Sequence, residues 1–406
     1  MISVEEAHRR LLEGLAAFAP LPAEDVALDA AHGRVLAEDV VARVTQPPLP
    51  MSAMDGYAVR GADVAKAPAQ LRQIGYVPAG QRHAGAVGPG EAVRLFTGAP
   101  IPDGADTVVI QEDTEADGDR VTVREATAAG RNVRAAGLDF RAGSVGLPAG
   151  RRLTARDIGL AAAMNHAWLR VRRRPRIGIL ATGDEIVRPG EPIGPAQIVS
   201  SNAFSLAASI AAFGGEPVQL GIAPDDEQAL QRMAGAARGL DLLVTTGGAS
   251  VGEHDLVRSG LQPVGLAIDF WSIAMRPGKP LMFGRLGDLP MLGLPGNPVS
   301  TFVCALVFLR PALALMLGLP TAQPRERARL AVPLGANDRR QDYLRATLGI
   351  GTDGGREVTP FAKQDSSMLS LLARADCLAI RPPNAPAIEA GAAIDILPFA
   401  GDPKPL

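Results

Sequence analysis

The spacing of apolar and polar residues divides the chain into regions of different secondary structure. Near the N-terminus, Ser3 and Glu6 have the spacing of a capping box, and apolar residues recur at helical spacing over residues 7–15. From 46 to about 150, short β-like runs alternate with Gly, Pro and Asp, which predicts a β-rich insertion. Helical spacing returns over residues 154–165.

Between residues 176 and 320, short apolar runs alternate with segments of helical spacing. This alternation predicts an α/β domain with a mostly parallel sheet and helices on both faces. The predicted strands are 177–180, 218–222, 242–244, 265–271, 281–284 and 289–293. The predicted helices are one capped at Ser201-Asn202 and ended by Gly214-Gly215, one opened by Asp225-Asp226 and closed by Gly239, and a long one from 298. After Pro324, β-like runs with Pro-rich turns predict a small C-terminal β domain.

Residues 299–319 are almost wholly apolar and long enough to span a bilayer. However, Arg310 and Pro311 interrupt the middle of the run, where a charge is costly and proline removes a helix hydrogen bond. The run is therefore interpreted as a buried helix, kinked or broken near Pro311, and no membrane partner is expected.

Composition narrows the class of protein. A chain of 406 residues is too long for one ordinary core and predicts two to four domains. Lys plus Arg total 41 against 43 for Asp plus Glu, and aromatic residues are only 4%, so a nucleic-acid partner is not expected. Cys304 and Cys377 lie far apart in apolar contexts, and Glu5 and Glu6 stand where an export signal would be basic. These features predict a cytoplasmic protein with buried thiols.

Residues 241–255 read DLLVTTGGASVGEHD, an apolar strand that runs into a glycine-rich turn and ends on a carboxylate. Such a turn exposes backbone N–H groups that bind anions, and Ser250 adds a hydroxyl donor. Asp255 would repel an anion unless a cation lay between them. The segment therefore predicts an anion held together with a metal, although a tight strand-to-helix connection explains the same pattern.

Four unusual segments each follow directly after a predicted strand of the α/β region: 182–185 (TGDE), 224–226 (PDD), 246–250 (TGGAS) and 295–298 (PGNP). Because ligands bind at the carboxyl ends of parallel strands, these segments are expected to meet at one rim. Glu185, Asp226 and Asp255 would supply hard oxygen ligands for Mg²⁺ there. The alternative is that these acids cap helices and form turns; that role is assigned to Asp225.

Positive charge is expected close to that rim. The chain has four lysines, at positions 66, 279, 363 and 404, so Lys279 within Arg276-Pro-Gly-Lys-Pro280 is an unusual choice. Lysine and arginine there suit a phosphate or a small oxyanion, although two solvated charges on a turn are the alternative. Ser300 adds a hydroxyl near a helix N-terminus. His254 has no paired spacing with another histidine, so a zinc site is not supported.

Together with these residues, several motifs resemble the molybdopterin molybdenumtransferase family, known as MoeA in bacteria and as the corresponding domain of gephyrin. The resemblance spans nearly the whole chain. The segments that carry it are 51–59 (MSAMDGYAV), 95–106 (LFTGAPIPDGAD), 132–139 (NVRAAGLD), 182–185, 246–255, 277–280 and 293–300. The family's pattern is not followed at Leu138, which replaces an acidic residue, or at Ser200, which stands where aspartate is frequent.

The resemblance implies a multidomain α/β plus β protein. The implied domains are a discontinuous helical linker domain (1–45 and 141–174), a β-rich insertion (46–140), a three-layer α/β/α molybdopterin-binding domain like that of molybdopterin adenylyltransferases (175–322) and a C-terminal β-barrel (323–406). It also implies an elongated homodimer whose active site lies at the subunit interface. Asp55, Thr97 and Asp139 would then reach the carboxylates of the partner subunit.

The implied reaction inserts molybdate into the dithiolene of adenylylated molybdopterin, releases AMP and requires Mg²⁺. A molybdopterin adenylyltransferase is an implied delivery partner. The residues implied as catalytic are Asp55, Thr97, Asp139, Glu185, Asp226, Asp255 and Lys279, with Glu185, Asp226 and Asp255 on the metal. Those implied in substrate binding are Thr182, Gly183, Asp184, Ser201, Asn202, Gly247, Gly248, Ser250, Gly252, Arg276, Pro295, Gly296, Asn297, Pro298, Ser300, Arg345, Ser366 and Ser367.

Two other functions are compatible with parts of the pattern. Adenylyl transfer from ATP to molybdopterin would need only the α/β region, so the insertion and the C-terminal domain argue against it. A binding scaffold would not require the acidic cluster to be intact. Release of AMP from adenylylated molybdopterin, rather than of pyrophosphate from ATP, separates the first of these alternatives from molybdate insertion.

Overall fold

The structure is a computed structural model, and its contacts divide the chain into two compact units. The described residues are 1–78, 80–247, 256–351 and 354–399. The larger unit comprises Met1–Glu24, Gly33–Val35 and Val171–Leu406, and the smaller comprises Asp25–His32 and Leu36–Arg170.

The helices are short, apart from one long apolar run. Within the described residues the α-helices are α1 (Val4–Leu15), α2 (Ala155–Ala163), α3 (Asn202–Phe213), α4 (Glu227–Gly235), α5 (Leu256–Leu261), α6 (Pro298–Cys304), α7 (Arg310–Met316) and α8 (Leu369–Ala373). A π-helical turn, Ala305–Leu309, joins α6 to α7.

Most of the β-structure falls into three sheets. The strands up to residue 172 are β1 (Ala23–Ala27), β2 (Val40–Val41), β3 (Met51–Ser52), β4 (Gly56–Val59), β5 (Ala69–Val77), β6 (Glu91–Leu95), β7 (Thr107–Ile110), β8 (Thr114–Asp117), β9 (Arg120–Val123), β10 (Val133–Arg134), β11 (Val145–Leu147) and β12 (Trp168–Arg172). Those after it are β13 (Arg176–Thr182), β14 (Ile186–Val187), β15 (Ile198–Val199), β16 (Glu216–Ala223), β17 (Leu242–Thr246), β18 (Leu266–Trp271), β19 (Met275–Arg276), β20 (Met282–Leu286), β21 (Leu289–Leu294), β22 (Glu326–Leu330), β23 (Gln341–Ile350), β24 (Arg356–Pro360), β25 (Cys377–Arg381) and β26 (Ala393–Pro398).

The smaller unit is built on a six-stranded sheet in the order β7-β4-β6-β5-β9-β8. Only β5 and β6 run parallel within it; the other neighbours are antiparallel. Alternate residues of β4 enter different apolar clusters, Tyr57 and Val59 one and Ala58 the other, as the two-residue period of a strand requires. The prediction of a β-rich insertion is confirmed.

The larger unit contains the predicted α/β domain, with the sheet order β16-β13-β17-β21-β20-β18. The first four strands are parallel, while β20 is antiparallel to both of its neighbours. Ile179 and Val244 pack on one face with α3, α6 and α7, whereas Leu180 and Leu243 pack on the other with α4 and α5. The mostly parallel, three-layer prediction is confirmed.

Helix α1 begins at the predicted cap, where the Ser3 hydroxyl accepts a hydrogen bond from the Glu6 N–H at 3.0 Å. Its buried residues Leu11 and Leu15 belong to the same apolar cluster as the α/β core. The contacts therefore group α1 with the larger unit. The predicted joining of 1–45 with 141–174 in one domain stays a prediction.

The long apolar run from 298 is helical throughout and changes pitch before Pro311. Because proline has no N–H, the carbonyl of Val307, four residues earlier, loses its helical donor. The side chains of His8 and Gln323 donate to that carbonyl instead, the latter at 2.7 Å. Among the described residues, Pro298–Met316 is long and apolar enough to cross a membrane by length and composition, but 78% of its apolar window is buried in the fold. It is a core helix, as predicted.

The C-terminal part of the larger unit is a barrel. Strands β23, β24, β22, β26 and β25 pair in that order, and β25 pairs again with β23 to close it. The short strand β19 adds alongside β23 and so ties the segment around Arg276 to the barrel. The predicted C-terminal β-barrel is confirmed.

Candidate active site

The carboxyl ends of four parallel strands meet at one rim of the α/β sheet. Thr182 at the end of β13 pairs with Ala223 of β16, and Thr246 at the end of β17 pairs with Leu294 of β21. Ala181 in turn pairs with Thr246. The segments after these strands therefore begin side by side, as the sequence predicts.

The turn after β17 requires glycine for two reasons. Gly247 has a φ of 90°, a left-handed conformation that side chains disfavour. A Cβ at this position would also lie 2.5 Å from the carbonyl oxygen of Thr182. The backbone here approaches its neighbour too closely for any side chain. Within the described part of the chain, the Thr182 hydroxyl is buried beside this turn and has no hydrogen-bond partner.

Asn202 joins the turns after β17 and β21. Its Nδ2 donates to the hydroxyl of Thr246 at 2.9 Å and to the carbonyl of Gly296 at 2.7 Å. Ser201 occupies the N-cap position of α3, but its side chain makes no capping hydrogen bond. The predicted start of the helix is confirmed, and Asn202 stabilises the rim through protein contacts.

In the acidic pair at the start of α4, the residue that caps the helix is not the predicted one. Asp226 is the N-cap, since its Oδ1 accepts a hydrogen bond from the N–H of Ala229 at 2.6 Å. The prediction that Asp225 caps the helix is wrong. Instead, the N–H of Asp225 donates to Oδ1 of Asp184 at 3.0 Å, which joins the turns after β13 and β16. Both aspartates have the side-chain oxygen needed for a cap, so composition alone did not separate them.

The carboxylate of Glu185 folds back towards Gly183, so that a Cβ on Gly183 would lie 2.4 Å from Glu185 Oε2. Asp184, Glu185 and Asp226 are all exposed at the rim. No group of three metal-binding side chains occurs within the described ranges. The third predicted ligand, Asp255, lies outside the described residues, together with the predicted binding residues Gly248, Ser250 and Gly252.

The segment after β21 contacts the C-terminal barrel. Nδ2 of Asn297 donates to the hydroxyl of Ser366 at 3.0 Å, and the N–H of Val299 donates to the Ser366 carbonyl at 3.1 Å. One N–H at the start of α6 is thereby used by the protein itself. Ser300 is buried at 5% exposure, whereas Gly296 and Asn297 are exposed.

Arg345 is a buried support for the loop that carries Ser366. Its side chain is 1% exposed, and its guanidinium donates to Gln364 Oε1 at 3.3 Å and to the Met368 carbonyl at 3.1 Å. Burial lowers the pKa of Arg345. On the same loop, the hydroxyl of Ser367 donates to Asp365 at 2.6 Å. Arg345 thus supports the loop that carries Ser366 and Ser367, a contact that its place in the sequence did not indicate.

Arg276 is held by Asp342 and Asn337, two partners that the sequence analysis missed. Its Nε donates to Oδ1 of Asp342 at 2.8 Å, a second bond joins the same carboxylate, and Nη2 donates to Asn337 at 3.2 Å. Asp342 is 66 residues away in sequence, so only the pairing of β19 with β23 brings them together. The side chain of Lys279, three residues further on, is exposed.

In the smaller unit, Asp55 and Thr97 form a hydrogen-bonded pair. Oδ1 of Asp55 accepts from the backbone N–H of Thr97 at 2.7 Å and from its hydroxyl at 2.8 Å. These bonds lower the pKa of Asp55, with a smaller contribution from the charge of Arg94. Asp139 is exposed, and its N–H donates to the carbonyl of Gln46 at 3.0 Å.

Three family models match successive parts of the chain. They are the MoeA N-terminal region (domain I and II) over residues 2–165, a probable molybdopterin binding domain over 178–315, and the MoeA C-terminal region (domain IV) over 327–399. Their order agrees with that of the insertion, the α/β domain and the barrel.

Curated relatives match over most of their length. A molybdopterin molybdenumtransferase of Nostoc sp. is 37% identical over 88% of this chain and 85% of its own. One from Haemophilus influenzae is 33% identical over 98% of this chain and 99% of its own. Among solved structures, a molybdopterin biosynthesis MoeA protein from Pyrococcus horikoshii aligns with a TM-score of 0.84 at 28% identity, over 98% of this chain and 100% of that one.

Proposed function

The chain belongs to the molybdopterin molybdenumtransferase family, and from this premise we propose that it inserts molybdate into adenylylated molybdopterin, releases AMP and depends on Mg²⁺. The observation that carries the proposal is the rim where β13, β16, β17 and β21 end together. Glycine turns and carboxylates lie side by side there, which suits an anionic substrate bound together with a cation.

The residues at the rim suit Mg²⁺ by the chemistry of their donors. Carboxylate oxygens are the protein ligands that Mg²⁺ prefers, usually with waters and phosphate oxygens. Glu185 and Asp226 are exposed at the rim, and the bond by which Asp226 caps α4 involves its Oδ1. In the proposal these two residues and Asp255 hold the ion. Bound there, the ion would offset the charge of the phosphate and polarise the bond that is cleaved.

The anionic groups of the substrates need donors and positive charge. In the proposal, backbone N–H groups of the turns at Gly247 and Gly296 would donate to the anion, and Lys279, an exposed residue, would add a mobile positive charge. Arg276, fixed by Asp342, would supply a planar guanidinium of set orientation. Arg345 acts indirectly, because it supports the loop that carries Ser366 and Ser367.

The proposal includes a homodimer in which the smaller unit of one subunit completes the site of the other. Asp55 and Thr97 are hydrogen-bonded to each other and partly exposed to solvent. This exposure supports the proposal, because a substrate or a partner subunit could contact them. Asp139 is assigned to the same surface. The reaction would take its substrate from a molybdopterin adenylyltransferase.

The test is conversion of defined adenylylated molybdopterin with molybdate and Mg²⁺, followed by AMP release and cofactor formation. Asp226→Asn should lose activity while keeping its stability, because asparagine caps a helix as well as aspartate does. Asp225→Asn removes the same charge one residue away and should stay active. Pyrophosphate release from ATP would indicate adenylyl transfer instead, and full activity in Asp226→Asn together with Asp255→Ala would indicate a scaffold.

A further inference from the structure

A cationic and aromatic row lies beside Asp55 on the sheet of the smaller unit. In the strand register, Arg94 of β6 stands opposite Tyr57 of β4 on one side and Tyr76 of β5 on the other. Phe96, which directly follows the last residue of β6, also lies against Arg94. The row therefore ends where Thr97 begins the turn that binds Asp55.

The guanidinium of Arg94 packs against two aromatic rings, those of Tyr57 and Phe96, which together are called the clamp. Its central carbon lies 5.0 Å from the centre of the Tyr57 ring and 5.2 Å from that of Phe96, both within the range of a cation–π interaction. Tyr76 packs edge-on against Phe96 at 5.6 Å and extends the support outwards. These two ring contacts, together with a hydrogen bond to Gln111, restrict the orientation of the guanidinium.

Arg94 is also tied to the strand ends around Asp55. Its Nη2 donates to Oε1 of Gln111, and the N–H of Gln111 donates to the carbonyl of Asp55 at 3.1 Å. Its Nη1 is buried without a hydrogen-bond partner in the described part of the chain, and no ion pair of Arg94 is found there. Its charge is therefore not cancelled by a bonded carboxylate and acts on Asp55 through space.

We propose that Arg94 is a positioning residue for the reaction: it holds the Asp55–Thr97 pair in place and supplies the positive charge beside it. This inference rests on the proposed role of Asp55 and Thr97 in the active site. Arg94 itself need not touch substrate, because the rings and Gln111 occupy its surroundings. The clamp explains why an arginine lies here among apolar neighbours of β6, such as Val93 and Leu95.

The test compares Arg94→Gln, which removes the charge, with Arg94→Lys, which keeps it. The matched control is Arg72→Gln on the adjacent strand β5, where Arg72 is exposed and pairs with Glu91 at 2.8 Å. One readout is the pH titration of the Thr97 amide signal by NMR, which follows the ionisation of Asp55. The other is kcat and KM for AMP release.

Arg94→Gln should raise the titration midpoint and lower kcat about tenfold, because a displaced catalytic group loses its alignment. Arg94→Lys should keep the midpoint near that of the wild type and recover part of kcat, and Arg72→Gln should leave both unchanged. If Arg94→Gln does not fold, Phe96→Leu loosens the clamp and should show the same changes in smaller measure.

An unchanged midpoint and kcat in Arg94→Gln, or in Phe96→Leu where that variant replaces it, would overturn the inference. A raised midpoint with unchanged kcat would overturn the link to the reaction. Should the wild-type protein release no AMP, the proposed function itself would fail, and the Thr97 titration would still decide whether Arg94 holds the pair.

Discussion

Replacement of Gly247 by alanine should lower the free energy of unfolding by more than the cost of the backbone angle at this position. Its φ of 90° is left-handed, and a methyl group in that conformation costs about 1–2 kcal/mol. In addition, the new Cβ would lie 2.5 Å from the Thr182 carbonyl, a backbone atom that cannot rotate away. Overpacking of this kind adds about 1–3 kcal/mol. The free energy of unfolding should therefore fall by about 2–5 kcal/mol in total.

Gly239→Ala is the matched control, because Gly239 has a φ of 79° and open space around its missing Cβ. It should lose only the conformational cost, about 1–2 kcal/mol, and keep its activity. Urea unfolding of both variants measures the difference, and AMP release measures the effect on the site. Equal losses of stability, or an active Gly247→Ala protein, would refute the argument that close backbone approach shapes this turn.

Three further results are expected elsewhere in the molecule. Burial lowers the pKa of His8, so the unfolded chain binds a proton more readily than the folded chain as the pH falls through about 6.5. The free energy of unfolding should therefore decline from pH 7 to pH 5. His8→Gln, which keeps an N–H donor, should flatten that decline when it is measured by urea unfolding. Equal slopes for both proteins would contradict this. Arg345→Met leaves buried carbonyls without donors and should cost about 3 kcal/mol, whereas Arg374→Met, at an exposed position, should cost little. If the site is shared between subunits, an equal mixture of Asp55→Ala and Asp255→Ala proteins should regain about a quarter of wild-type activity after subunit exchange, because half the dimers then hold one intact site. No recovery despite confirmed exchange would place the whole site within one chain.

The spacing of apolar residues predicted most of the fold, because periodic burial is what makes strands and helices visible in a sequence. Alternation over 176–320 predicted the α/β domain, and with it the common rim of four strand ends. Ser3 and Glu6 predicted the start of α1 because a capping box is a local interaction. The buried character of Pro298–Met316 followed from a charge and a proline within the run.

Interactions between distant segments could not be predicted in the same way. Asp342 holds Arg276 only because two strands pair across the α/β domain and the barrel. The burial of Arg345 depends on the loop that folds over it, and nothing in its neighbours marks it as buried. Asp225 and Asp226 are chemically equivalent as helix caps, so the path of the backbone decides which of them caps α4. The pattern Asn337-Asp338-Arg339-Arg340-Gln341-Asp342 was the available signal for an ion-pair network.

The proposed function depends most on where the oxyanion binds. Tungstate is a heavy-atom analogue of molybdate, and a crystal of the protein soaked with it gives an anomalous peak at the bound metal. The peak is expected at the rim, close to Gly247, Gly296 and the amine of Lys279. A single strong peak far from the carboxyl ends of β13, β17 and β21 would contradict the central claim.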